Sequence, residues 1–110
     1  MAGRRLAMVG MIIPLYLGGP ALADDAAARG AGIVDEWCRM CHLRVTDQPD
    51  PDMAPPIEAV VQREGRDEAY FLRFMQEDHF PMTTFRLFDY EKADVVAYLM
   101  ALQPKAVRTR

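Results

Sequence analysis

The 110-residue chain contains only two cysteines, and they stand three apart at Cys38 and Cys41. A disulfide between them would close too small a loop to restrain the unfolded chain, which excludes a disulfide framework. No run of β-branched residues alternates with polar ones. That excludes a sheet, and with it the βαβ setting a thioredoxin-like dithiol needs. Basic residues are also in short supply, thirteen against sixteen acidic for a net charge of −3. They are scattered, so nothing resembles the basic stripe that holds nucleic acid. Only one long apolar run is present. Arg4 and Arg5 precede uncharged residues from Leu6 to Leu17, Gly18-Gly19-Pro20 interrupts, and Ala21-Leu22-Ala23 offers small residues for cleavage. The pattern predicts a secretory signal over 1–23, cleaved after Ala23, and hence a periplasmic location. The alternative is an uncleaved anchor, since Leu6 to Ala23 spans eighteen uncharged residues, near the least that crosses a bilayer. The twin arginines lack the flanks of a twin-arginine signal, which points to general export.

Cleavage leaves one domain, 24–110, with eleven basic and sixteen acidic residues and a balance of −5. So short a chain buries little core alone and commonly relies on a metal or cofactor. The stretch Cys38-Arg39-Met40-Cys41-His42 supplies a candidate. Cysteines three apart on a nascent helix present both thiols on one side, where they can add to the two vinyl groups of a haem. The histidine that follows carries an imidazole nitrogen under the ring, towards the iron.

The remaining pattern is helical. Asp24 to Cys41 reads as a helix with a frayed start, in which Ile33 and Trp37 share a face. Gly30 and Gly32 lie inside it at a cost of about 1 kcal/mol each against alanine, so they call for a reason, and close approach of another helix is one. Prolines and aspartates make 43–56 a loop. Short helices follow over Ile57 to Arg63 and Asp67 to Glu77, the second with a stripe of Phe71, Phe74 and Met75. His79 to Phe88 is a second loop. Asp89 is expected to cap a last helix through Gln103, with Val95, Tyr98, Leu99 and Leu102 on one face and Pro104 as its stop. The fold class is all-α.

A haem iron held by His42 has one axial position left, and its occupant decides the chemistry: a protein ligand suits electron transfer, an open site suits small-molecule binding. Met82 stands forty residues beyond His42, in a loop stiffened by Pro81. Met75 and Met100 lie on helix faces, where methionine is commonly core filling. His79 is the rival ligand. A third reading has zinc on Cys38, Cys41, His42 and His79, but adjacent Cys41 and His42 would strain to reach one tetrahedral ion. A sensor or enzyme with a displaceable sixth ligand is the remaining alternative.

From Gly30 to Leu102 the chain resembles a small bacterial class I cytochrome c. Gly30 matches the family glycine eight residues before the first cysteine, while Val34 stands where an aromatic is usual, a contact that Trp37 or Ile33 could repack. Val95 and Tyr98 match the residues through which the last helix crosses the first near that glycine. Ala54-Pro55-Pro56-Ile57 resembles the Gly-Pro-x-Leu segment whose proline carbonyl accepts the proton of the ligand histidine. Leu87 and Glu91 match the start of the last helix, with Phe88 in place of the hydroxyl cap. The resemblance implies one covalent haem c on Cys38 and Cys41, His42 and Met82 as iron ligands, and Pro55 as support for His42. It implies an electron carrier rather than an enzyme, a monomer or the small subunit of a redox complex, with periplasmic redox proteins as partners. No stable membrane insertion is expected after cleavage. Phe71, Phe74, Phe80, Phe85, Val60 and Leu99 are candidates for the haem wall.

Overall fold

The structure is a computed structural model. It describes residues 3, 8–12, 20–47, 52–77, 79, 81–82 and 86–104. Most of the predicted signal, together with Phe80 and Phe85, lies outside the described residues.

Helix α1 runs Pro20–Ile33. It starts four residues ahead of the expected Asp24. Proline is at home in the first position of a helix, where its missing N–H has no partner to lose. The same helix does not continue to Cys41. It passes at Val34–Cys38 into a π turn, in which the Arg39 N–H donates to the Val34 carbonyl five residues back at 3.1 Å. The wider turn changes which residues share a face. Ile33 and Val34 pack into the core, whereas Trp37 is turned out and 43% exposed. The expected shared face of Ile33 and Trp37 is therefore absent, and Val34 is the residue enclosed in the core.

Helix α2, Ile57–Val60, is shorter than expected and gives way to turns that end at Gly65, whose φ is +77°. That left-handed backbone suits glycine. Helix α3, Glu68–Gln76, is capped by the Asp67 carboxylate, which accepts from the Tyr70 N–H at 2.7 Å. Helix α4, Asp89–Leu102, differs from expectation at its cap. Asp89 is the first helical residue, and the Phe88 N–H donates back to Glu91 at 2.8 Å, which is the glutamate half of a capping box. Among the described residues there is no strand, only an isolated antiparallel bridge between His79 and Met82.

The core joins the π turn, α2, α3 and α4 through Val34, Ile57, Val61, Phe71, Met75, Val95, Val96 and Leu99, with Ile33 of α1 packed against it. Helix α4 packs against both α1 and α3. Val34, Val61 and Val96 are wholly enclosed, each stabilising by about 1.5–3 kcal/mol through removal of apolar surface from water. The crossing of α1 and α4 rests on Gly30. A Cβ there would collide with the Asp94 backbone carbonyl and come within 2.9 Å of the Tyr98 Cβ. Gly32 meets nothing within 4 Å, so close packing explains only the first of the two. Beside Gly30, Arg29 makes a two-pronged ion pair with Asp94, at 2.9 and 3.1 Å.

Candidate haem site

The site begins where the π turn ends. The Cys38 carbonyl accepts from the N–H groups of Cys41 at 3.2 Å and His42 at 2.8 Å. The chain is thereby curled into one tight turn carrying both thiols and the imidazole. Both cysteines are free thiols. Cys38 packs against the core and Cys41 is exposed. Burial pushes the Cys38 thiol up from its ordinary pKa, with neighbouring Arg39 pulling the other way.

His42 reaches the segment before α2. Its Nδ1 lies 2.6 Å from the Pro55 carbonyl oxygen. A carbonyl can only accept, so Nδ1 carries the proton. In the neutral ring the lone pair is then left on Nε2. A histidine with one nitrogen tied to backbone and the other free has the arrangement of a metal ligand.

Met82 is half-buried against the core and pairs through its backbone with His79. The His79 ring lies flat on Phe74, with centroids 4.0 Å apart and planes 9° apart, and its Nε2 sits 3.4 Å from the Glu77 carboxylate. Phe74 also stacks on Tyr70 at 5.9 Å. Of the expected haem wall, Phe71 and Leu99 are in the core, with Val60 against it. The zinc reading finds no geometry here. Cys38, Cys41, His42 and His79 are all described, yet no three His, Cys, Asp or Glu side chains cluster as a metal requires among the described residues.

The structure thus gathers Cys38, Cys41, His42 and Pro55 in one place and anchors Met82 on the core. It also adds groups that sequence reasoning missed. Arg39, inside the motif, donates two hydrogen bonds to Glu58 at 2.8 and 3.3 Å. Asp35 accepts from Arg44 at 2.7 Å and faces Arg39 at 3.7 Å. The i,i+4 spacing of Asp35 and Arg39 was readable as a helix pair, whereas nothing local points from Arg39 to Glu58. Two thiols and an imidazole with Nδ1 engaged thus share one turn, and these are donor types that a haem can use.

A comparison with known sequences agrees in kind. The chain is 31% identical over 85 residues, 76% of its own length and 81% of the relative's, to the protein named cytochrome c-552 of Bradyrhizobium diazoefficiens. No family model and no solved structure matches it. Among the described residues no helix is long and apolar enough to cross a membrane.

Proposed function

The chain belongs to the cytochrome c family, and from that premise we propose that it is an exported class I monohaem cytochrome that carries single electrons between periplasmic redox proteins. Cys38 and Cys41 would hold one haem c through thioether bonds, and His42 Nε2 and the Met82 sulfur would be its iron ligands. When bound, the haem supplies a one-electron iron couple. The rest is the work of the chain. The tight turn from Cys38 to His42 presents the thiols and the imidazole together. Pro55 fixes the tautomer and the orientation of the ring. The apolar residues of α3 and α4 exclude water, which limits the change in solvation between oxidation states.

The observation that carries this reading is the 2.6 Å contact of His42 Nδ1 with the Pro55 carbonyl, because it leaves Nε2 as the free donor within a turn that carries both cysteines. Met82 is favoured over His79 because the His79 ring is stacked on Phe74 and faces Glu77, whereas the Met82 side chain packs on the core. The test is a haem stain and a pyridine haemochrome assay on the exported protein. One haem per chain, retained on a denaturing gel, is expected; a negative stain with zinc co-purified overturns the reading. The oxidised protein should show a sulfur-to-iron charge-transfer band. Met82→Ala should lose that band and lower the potential, since a thioether favours the ferrous state.

A further inference from the structure

The turn that carries His42 is tied to the segment opening α2 by two parallel clamps. One joins His42 Nδ1 to the Pro55 carbonyl at 2.6 Å. The other joins the Arg39 guanidinium to the Glu58 carboxylate at 2.8 and 3.3 Å. Residues 39 and 42 are three apart on one side, and residues 55 and 58 are three apart on the other. The Arg39 side chain is 11% exposed and that of Glu58 34%, so water partly screens the pair, and what the two-pronged fork supplies is direction more than strength.

Glu58 and the Pro55 carbonyl are mechanically linked. The Pro56 carbonyl accepts from Ala59 at 2.9 Å and from Val60 at 3.1 Å, so the first turn of α2 holds Glu58 in a set relation to the peptide just ahead of it. Proline at both 55 and 56 removes two backbone donors and restricts φ there. Wherever Glu58 is drawn, the Pro55 carbonyl follows. Asp35 faces the Arg39 Nε at 3.7 Å and accepts from Arg44 at 2.7 Å.

We propose that Arg39 and Glu58 are positioning residues for His42, holding the Pro55 carbonyl on Nδ1 and so setting how strongly Nε2 donates to iron. This rests on the haem reading above. A firm Nδ1–H···O bond leaves more electron density on the ring, making Nε2 the better donor and favouring the ferric state. Releasing the clamp weakens that bond and moves the equilibrium towards ferrous.

The test uses the haem-loaded protein and charge-balanced changes, so that loss of a charge near the iron does not masquerade as loss of position. In Arg39→Leu/Glu58→Leu, solvent exchange of the His42 Nδ1 proton in the ferrous protein should quicken about fivefold, as expected for one weakened hydrogen bond. The ferric–ferrous equilibrium should shift towards ferrous by about fivefold, or about 40 mV at 59 mV per tenfold for one electron. Arg39→Lys, which keeps the charge without the fork, should fall between. If the double leucine variant keeps the wild-type exchange rate and potential while only its melting temperature falls, the pair is structural and the proposal is overturned. A haemochrome assay on the same samples separates the two readings. Wild type without haem overturns both, whereas loaded wild type with unaltered variants overturns only this one.

Discussion

Glu58 shows how one carboxylate senses its surroundings. The two hydrogen bonds from Arg39 hold its carboxyl below the usual range, and partial burial opposes them. A depressed value means that folding favours the charged form. The stability it contributes is therefore complete above the ordinary glutamate value of about 4.3 and is lost as pH falls through the lower folded value. The side chain is 34% exposed, so water screens the pair and the contribution is below about 1 kcal/mol. Urea midpoints measured from pH 6 to pH 3 should fall more steeply for wild type than for Glu58→Gln. Equal slopes would show that this pair carries no such linkage. Glu58 had no visible role in the sequence, because Arg39 lies nineteen residues away from it and no spacing rule spans that distance.

Helix ends and crossings are decided by single atoms. Gly30→Ala would push a methyl group into the Asp94 backbone and the Tyr98 Cβ. Overpacking costs about 1–3 kcal/mol, against roughly 1 kcal/mol regained in helix propensity. A net loss of up to about 2 kcal/mol in chemical denaturation is expected. Gly32→Ala meets open space and should stabilise by up to about 1 kcal/mol. The two glycines look alike in the sequence, and only the crossing partner tells them apart. The cap of α4 makes a similar contrast. Glu91→Ala removes the acceptor for the Phe88 N–H and should cost about 1 kcal/mol, whereas Asp89→Ala should cost less, since no hydrogen bond holds its side chain to the helix end. Circular dichroism of thermal unfolding separates these outcomes. The π turn belongs to this scale too. One extra residue in the turn rotates Trp37 outwards, where the Arg86 guanidinium lies 5.7 Å from its ring, and leaves Val34 to seal the core.

The chain as a whole is closed by a residue at the very end of α4. Gln103 is 3% exposed, and its amide nitrogen donates to the Val61 carbonyl at 3.1 Å and to that of Arg66. One side chain thus holds the turns after α2 against the last helix. Gln103→Leu would strand both carbonyls, so a loss of about 1–3 kcal/mol is expected, read as a lowered melting temperature of the haem-loaded protein. The amino-acid sequence by itself determined the helical class, the motif Cys38 to His42 and the α3 and α4 stripes. These follow from residues a few positions apart, whose relations are set by the 3.6-residue turn and by side-chain chemistry. The resemblance in the sequence pointed to Pro55. Only the tertiary structure decided what joins across the chain: Arg39 with Glu58, Arg29 with Asp94 and Gln103 with Val61, at separations of 19, 65 and 42 residues. It also decided the outward turn of Trp37. Such pairs depend on where helices come to lie against one another, and that is settled by packing of the whole core rather than by local spacing.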